Sequence, residues 1–427
     1  MTESTEPIEP EGRRRWPWAL RSLGHRNYRI FITGHSVSTI GTWMQRVAQD
    51  WLVLDLTGDA VDVGIAAALQ FLPVLLFGLW GGAFVDRWDR RRVIICTQAA
   101  SLVLAAVLAG VVLSGTVELW MVFGLSLSLG FVTVFDNPAR HAFVAEVTRP
   151  QDYVNAQALA STVHNLGRLV GPAVAGTLIA VAGSGWAFAI NAASFVPVIW
   201  GLLLIDTSSA SVEPGERKHG RVREGLMYVF SRAELRACMI LVAAIALFGQ
   251  NFRAVLPVLA KETFHGDSQT YGWLTSALGV GAVIGALGTA ATERVSSWRL
   301  LLAGVAFGGA NALVALAPWL WVAMAAVMLM GIANLAFNTL SKTLLQLGTE
   351  PSMHGRVMAL HGFVFLGTTP LGMPLIGWVC DQWGARAGMA VASVTALGAA
   401  ALVAPTLRRL QAGTAATPRD PKVLDQA

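Results

Sequence analysis

Long apolar stretches constrain the fold of this chain more than any other feature of its sequence. Val63 to Val85 and Val93 to Leu113 are two of them. Each is about as long as the ~20 residues that a helix needs to cross a hydrocarbon core of ~30 Å. Hydrophobic residues make up 54% of the chain and charged residues only 13%. Because a soluble globule could not hide so much apolar surface from water, the sequence predicts an all-α integral membrane protein.

Twelve such stretches are predicted to be transmembrane helices, six on each side of one long polar segment. The predicted helices are Tyr28–Leu54, Val63–Val85, Val93–Leu113, Leu119–Phe135, Ala156–Ala182, Trp186–Ile205, Leu235–Leu259, Tyr271–Ala291, Leu300–Ala317, Trp319–Leu340, Val357–Val379 and Ala387–Val403. The predicted regions are a tail at 1–27, a six-helix bundle at 28–205, a linker at 206–234, a second six-helix bundle at 235–404 and a disordered tail at 405–427.

Positive charge is distributed unevenly between the two ends of these predicted helices. Of the 31 Lys and Arg residues, 26 fall in tails and loops on one side, two on the other side and three within spans. Basic loops stay on the cytoplasmic side of a membrane. We therefore predict a multi-pass protein of the bacterial cytoplasmic membrane with both termini in the cytoplasm. The same topology explains the net charge of +5 without a nucleic-acid partner.

The two predicted bundles carry traces of an internal repeat. Phe135 and Pro172 are 37 residues apart, as are Phe337 and Pro374. Each of these segments leads from the end of a span through a polar loop into a span rich in Gly and Pro. Two pseudo-symmetric halves are typical of carriers that bind their substrate near the middle of the membrane.

A dense cluster of charges joins the second and third predicted helices. Asp86 and Arg90 lie four residues apart, so they share a face if the segment is helical. The loop resembles motif A of the major facilitator superfamily, although Asp89 stands where that family usually has glycine. The matching residues are Gly82, Asp86, Arg87, Arg90 and Arg91.

The resemblance to the superfamily covers roughly residues 20 to 405. Over this range the chain is similar to the branch that contains enterobactin exporters and related secretion carriers. The segments that carry it are Gly41 to Leu54, Phe135 to Val144 and Gly355 to Leu360. It implies the major facilitator fold, in which two bundles alternate access to a central site and export uses the proton gradient. It also implies a conformational relay of Asp86, Arg90 and Asp136 at the cytoplasmic face. The fourth helix lacks the arginine that drug antiporters carry there.

The fifth predicted helix contains small residues at intervals of about four, together with one proline. It resembles motif C, which the superfamily associates with drug–proton antiporters, except that Ala175 replaces a glycine. The residues assigned to this packing or hinge element are Gly167, Gly171, Pro172 and Gly176. Generic helix packing in lipid is the alternative, because the eighth predicted helix has a similar series of glycines without the proline.

Several polar side chains within the spans are candidates for a substrate or proton path, because charges inside a membrane are costly. They are Arg46, Gln49, Asp50, Arg168, Asn251 and Arg253. Arg46 and Asp50 lie four residues apart and are predicted to pair, either as a proton site or as a salt bridge at an outer gate. Arg168 has no partner in its own helix and is the leading candidate to face a central cavity.

The sequence therefore predicts a secondary active transporter that exports an amphiphilic small molecule, such as a siderophore or an antibiotic, by proton antiport. The alternatives are a facilitator or lipid flippase without proton coupling, and a membrane sensor or scaffold on the same fold. The partners are the small molecule, protons and lipid, and the predicted protein is a monomer. Enzymatic, nucleotide-binding and metal-ligand motifs are absent from the sequence, so neither enzymatic activity nor a cofactor is predicted.

Overall fold

The computed structural model describes residues 18–205, 222–290 and 295–416, and every regular element in those ranges is helical. The α-helices are α1 Arg26–Thr57, α2 Ala60–Val85, α3 Arg90–Leu113, α4 Leu119–Val147, α5 Tyr153–Ala182, α6 Ser184–Leu204, α7 Val222–Ser231, α8 Ala233–Ala244, α9 Phe252–Val258, α10 Ser268–Ala290, α11 Ser297–Leu316, α12 Leu320–Leu347, α13 His354–Gly367, α14 Thr369–Trp383 and α15 Ala385–Ala416. Short 3₁₀ helices cover Trp18–Gly24 and Pro150–Asp152.

Eleven helical segments in the described ranges are long and apolar enough to cross a membrane. Helices α8 and α9 count as one segment, Ala233–Thr263, and α13 and α14 count as another, His354–Trp383. Helix α1 is not among the eleven, because its many polar side chains lower its mean hydropathy. Its 32 residues would nevertheless reach about 48 Å at 1.5 Å per residue. Its Gln45, Gln49 and Asp50 are buried against other helices rather than exposed.

The helices form two sets. Helices α1 to α6 pack mainly with one another and form the first set, while α8 to α15 form the second set. The sets meet where α2 packs along α14 and α5 packs along α10. Glycines allow this close approach: a Cβ atom on Gly64 would lie 2.5 Å from the Met373 carbonyl oxygen, and one on Gly272 would lie 2.6 Å from that of Pro172.

The helix turns lie at two opposite ends of the structure. We call one of them the basic end, which contains the turns at 86–89, 148–152 and 348–353. The other, the far end, contains the turns at 58–59, 114–118, 264–267, 317–319 and 384.

Two helices that the sequence predicts as continuous are broken in the structure. The predicted helix Leu235–Leu259 passes through a π-helical turn, Ile245–Gly249, and loses helical geometry at Gln250 and Asn251. The predicted helix Val357–Val379 is interrupted at Thr368, two residues before Pro370, which has no N–H to donate. Broken helices of this kind place free backbone and side-chain polar groups inside a membrane protein.

The predicted regions outside the bundles are only partly described. Residues 1–17, 206–221 and 417–427 lie outside the described ranges, which removes most of the predicted N-terminal tail, about half of the predicted linker and about half of the predicted C-terminal tail. Helix α7 occupies the second half of that linker. Helix α15 continues through Pro405 to Ala416, whereas the sequence predicts a helix end at Val403. A single proline removes one backbone hydrogen bond, and this is not enough to end a long helix that packs along α11.

The break in α8–α9 packs against α14 at a position that has no room for a side chain. A Cβ atom on Gly372 would overlap the Leu247 carbonyl oxygen and would lie 3.0 Å from the Asn251 amide nitrogen. We expect Gly372→Ala to cost about 1–3 kcal/mol, as overpacking does. The melting temperature of the purified protein, measured by size-exclusion chromatography after heating, would therefore fall. The control Gly362→Ala, where a Cβ meets nothing within 4 Å, should melt like the wild type. Equal melting temperatures for both variants would contradict this packing.

Candidate functional site

A buried ion pair joins the two sets of helices near the far end. The Asp50 side chain of α1 is only 1% exposed and accepts two hydrogen bonds from Arg253 of α9. Arg253 Nε lies 2.9 Å from Asp50 Oδ2, and Nη2 lies 2.6 Å from Oδ1. The Tyr271 hydroxyl of α10 donates a third hydrogen bond to Oδ2, at 3.0 Å. This bidentate geometry is the strong form of a salt bridge.

A chain of side-chain hydrogen bonds extends this ion pair into the first set. Arg253 Nη1 donates to the side-chain oxygen Oε1 of Gln70 at 3.0 Å. The Gln70 amide donates to Gln49 at 3.1 Å, and the Gln49 amide donates to Ser126 at 2.9 Å. The network therefore connects α9 of the second set with α2, α1 and α4 of the first. Fully satisfied buried networks hold their helices in one arrangement.

A second contact between the sets caps a helix. The Asp381 carboxylate, near the end of α14, accepts hydrogen bonds from the first two backbone N–H groups of α2, Ala60 at 2.6 Å and Val61 at 3.0 Å. A negative charge is stabilised at a helix N-terminus. Lys261 adds an ion pair with Asp55 at 3.2 Å. All of these contacts lie at the far end.

The predicted pair of Arg46 with Asp50 is not formed. Both carboxylate oxygens of Asp50 face α9 and are taken by Arg253, so Arg46 lies instead over the ring of Trp43, with its guanidinium carbon 4.6 Å from the ring centroid. Arg168 approaches the same ring, at 5.8 Å. His164 contacts Trp43 edge-on, at 5.5 Å between centroids. Trp43 is thus the common partner of two arginines and a histidine.

The glycines of the motif C-like element pack on two different sides of α5. A Cβ atom on Gly171 would lie 2.6 Å from the Trp43 Cβ, and one on Gly167 would lie 3.0 Å from Trp43 Cδ1. Gly176 faces the second set instead, where a Cβ would lie 2.7 Å from the Ser268 carbonyl oxygen. Pro172 is inside α5 and does not end it. The element therefore seats Trp43 against α5 and lets α5 approach α10.

The motif A residues lie at the basic end, and their side chains have separate partners. Arg90 forms an ion pair with Glu146, and Arg91 donates to the carbonyl oxygens of Leu202 and Leu203 at 2.6 and 2.9 Å. Asp86 is exposed and has no side-chain partner among the described residues, and Arg87 is also exposed. Gly82 has open space around it.

Asp136 is held within the first set. It forms an ion pair with Arg140 and accepts hydrogen bonds from Thr97 at 2.8 Å and Gln98 at 2.9 Å. The structure therefore does not bring Asp86, Arg90 and Asp136 into one cluster, and the relay role stays a prediction. Asp89, which departs from the motif, caps α3 by accepting from the Arg92 N–H at 3.1 Å.

Uncharged amides surround the break before α9. Asn251 donates to the Leu247 carbonyl oxygen at 2.7 Å, while its own side-chain oxygen is buried without a partner in the described part of the chain. Gln250 donates to Asn338 at 3.1 Å, and Asn338 donates to Asn334 at 3.0 Å. The second set therefore offers polar but uncharged groups near Arg253. The described residues contain no group of His, Cys, Asp and Glu that could hold a metal ion.

Sequence reasoning missed Gln70, Tyr271 and Asp381. Gln70 and Tyr271 lie in apolar stretches that look like ordinary spans. Asp381 lies at the end of a predicted helix, where carboxylates are common. Its role becomes visible only when the start of α2 is known to lie beside it. Gln70 alone gave a usable signal in the sequence, because it is a polar side chain inside an apolar span.

Known proteins resemble this chain along most of its length. Residues 17–424 match the family described as transmembrane secretion effector. The multidrug efflux pump Tap of Mycolicibacterium fortuitum is 28% identical over 384 residues, which cover 87% of this chain and 93% of that protein. The staphyloferrin A transporter of Staphylococcus aureus (strain NCTC 8325 / PS 47) is 23% identical over 260 residues, which cover 61% of this chain and 66% of that protein.

A solved structure has the same fold. The crystal structure of a bacterial homologue of the human lysosomal transporter Spinster, in an inward-facing and unoccupied conformation, matches with a TM-score of 0.71 over 92% of this chain and 98% of that one. The identity is 14%, so this match shows the fold alone. The family and these relatives are transporters rather than enzymes. The match over nearly the whole length, together with the membrane helices, shows that the chain belongs to the transmembrane secretion effector family of the major facilitator superfamily.

Proposed function

We propose that the protein is a proton-driven secondary transporter that exports small molecules of the drug or siderophore type by alternating access. The observation that carries the proposal is the unequal closure of the two ends. Among the residues that the structure describes, the two ion pairs that join the sets, Asp50–Arg253 and Asp55–Lys261, both lie at the far end. At the basic end, the carboxylate of Asp86 is exposed. This arrangement is expected of a carrier that is closed on one side and open on the other.

The proposal includes α1 as a twelfth membrane-crossing helix. Helix α1 has the length to cross, and its buried polar side chains line contacts with other helices rather than lipid. Twelve crossings in two six-helix bundles put the basic end, with both termini, in the cytoplasm of a bacterium. The far end is then the outer side, and the protein acts as a monomer.

Helices α2 and α14 supply a reciprocal pair of carboxylates for the two states. At the far end, Asp381 of α14 caps the start of α2. At the basic end, Asp86 ends α2, on the side where α13 begins. In the proposed outward-open state, the Asp381 contacts break and Asp86 moves to the N-terminus of α13, where the helix dipole favours a negative charge. The relay with Arg90 and Asp136 would form in that state.

Asp50 is the proposed proton carrier. Its charge is what holds Arg253, and a proton on its carboxyl group would leave Arg253 buried without a charged partner. Loss of one partner of a buried ion pair costs about 3–5 kcal/mol, which is enough to change the preferred state of a carrier. Proton entry from the outer side would thus couple to opening and closing of the far end. The substrate class is inferred from the relatives, one named a multidrug efflux pump and one a staphyloferrin A transporter.

Export can be tested in everted membrane vesicles with a panel of labelled antibiotics and siderophores. We expect uptake of at least one of them when the lumen is acidified, and loss of that uptake when an uncoupler collapses the gradient. Uptake that persists with the uncoupler would favour a facilitator or flippase. No uptake of any compound, with the protein present in the vesicles, would contradict a transport function.

Replacement of Asp50 should open the far end. Asp50→Asn leaves Arg253 buried without a charged partner, so the closed state loses about 3–5 kcal/mol. Spin labels at Ser114 and Trp319, in far-end turns of the two sets, report the opening as longer distances between the labels in pulsed electron paramagnetic resonance. The exposed Cys96 is replaced by Ala so that it is not labelled. The control Asp55→Asn removes the other ion pair between the sets. Because the Asp55 side chain is 66% exposed, the distances should change little. Equal distributions for both variants would argue against a gate at Asp50.

Replacing Asp86 of α2 and replacing Asp381 of α14 should change the distances between these spin labels in opposite directions. Asp381→Asn weakens the cap on α2 and favours the open far end, whereas Asp86→Asn removes the group that stabilises the other state and favours the closed far end. Each interaction is worth about 0.3–1 kcal/mol, so the populations should change by up to about fivefold. Export should fall in both variants while membrane insertion stays normal. A shift in the same direction for both would rule out the reciprocal arrangement.

A further inference from the structure

The cluster around Trp43 contains two guanidinium groups without an acidic partner. Arg168 lies near the middle of the 30-residue helix α5 and Arg46 lies on α1, and the guanidinium groups of both approach the Trp43 ring. Neither arginine has an ion pair or a side-chain hydrogen bond to another described residue. Two positive charges at this depth are costly, and the ring offers each only about 0.5–2 kcal/mol through cation–π contact. Their charge is therefore not neutralised by the protein.

The acidic residues near the cluster have other partners. Asp50 is taken by Arg253 and Tyr271, and Asp136 is taken by Arg140, Thr97 and Gln98. The guanidinium groups of Arg46 and Arg168 both approach the Trp43 ring, and the His164 ring contacts it from the side. The field in this region is positive and attracts an anion.

Close packing against α5 fixes the position of the Trp43 side chain. Gly167 and Gly171 let the Trp43 side chain lie directly against the backbone of α5, and any larger residue at either position would displace it. The indole is thereby held against α5, with the guanidinium carbons of Arg46 and Arg168 at 4.6 and 5.8 Å from its centroid and His164 edge-on and exposed. A planar ligand can stack in such a group, while guanidinium groups bind a carboxylate through two parallel hydrogen bonds.

We propose that this Trp43–Arg46–Arg168 cluster is the substrate-binding site and that it takes an anionic substrate, a carboxylate attached to a planar or aromatic group. The inference rests on the proposed export function and specifies the substrate class of that function. The carboxylate contacts Arg46 and Arg168, and the planar group lies on Trp43 and His164. The uncharged amides of Gln250, Asn251 and Asn338 in the second set leave the specificity for charge to the first set.

Three naphthalene probes of similar size test the sign of the charge: 2-naphthoate, its neutral amide 2-naphthamide and the cation 2-(aminomethyl)naphthalene. Their binding to the full-length protein in nanodiscs is measured by scintillation proximity with tritiated probes and no ion gradient. We expect 2-naphthoate to bind at least about tenfold more tightly than either of the others, as a single charge-assisted hydrogen bond provides. Equal binding of the three, preference for the cation, or no binding of 2-naphthoate at millimolar concentration would overturn the proposal.

Variants then test the residues. Arg46→Gln and Arg168→Gln should each weaken 2-naphthoate about tenfold and leave 2-naphthamide unchanged, while Arg168→Lys should retain part of the affinity. The control Arg92→Gln removes the same charge from a side chain that is 83% exposed at the basic end and should bind both probes like the wild type. A loss of 2-naphthamide binding in parallel with 2-naphthoate would mean that the arginines act on folding, and this too would contradict the assignment.

Failure of this proposal differs from failure of the transport proposal. Preference for the anion without uptake in vesicles would support the site and contradict export. Gradient-driven export of neutral or cationic compounds, with no preference for 2-naphthoate, would support export and contradict the anionic substrate.

Discussion

The buried ion pair of Asp50 with Arg253 is the interaction on which the arrangement of the two sets depends. Removing two charges from water is costly, and the cost is recovered only when geometry and hydrogen bonding are nearly complete. Here the carboxylate receives three donors, and the remaining arginine nitrogen bonds to Gln70. The same completeness makes the contact sensitive to the loss of one charge, because the other would then be buried and unpaired.

Close backbone packing puts these groups within reach of one another. The glycines on α2, α5, α10 and α14 let the two sets approach at distances that any side chain would prevent. In lipid, such packing supplies the association energy that the hydrophobic effect supplies in water. The interruption before α9 is equally important, because Arg253 lies in the first turn after it. Small residues and a local break thus bring a charge on one set to a carboxylate on the other.

Charge is divided unevenly between the halves of the proposed transport path. The first set carries two arginines and a histidine around Trp43, and the second set carries amides around Asn251 and Asn338. Asp50 and Asp136 are paired with other arginines, so the positive charge of the proposed site is available to a ligand. Asp86 at the end of α2 and Asp381 near the end of α14 have no contact with the Trp43 cluster, and in the proposed mechanism they act on conformation alone.

The sequence by itself determined the membrane helices, the approximate position of most of their ends and the family, because apolar length and the motif A loop are local properties of the chain. It also identified Asp50, Arg46, Arg168 and Arg253 as costly side chains that needed partners. Only the tertiary structure decided which partners they have. Asp50 is 203 residues from Arg253 in the sequence but only four from Arg46, and spacing on one helix favoured the wrong neighbour. Helices from distant parts of the sequence pack together through glycine contacts. The periodicity within one helix does not show which other helix it will pack against.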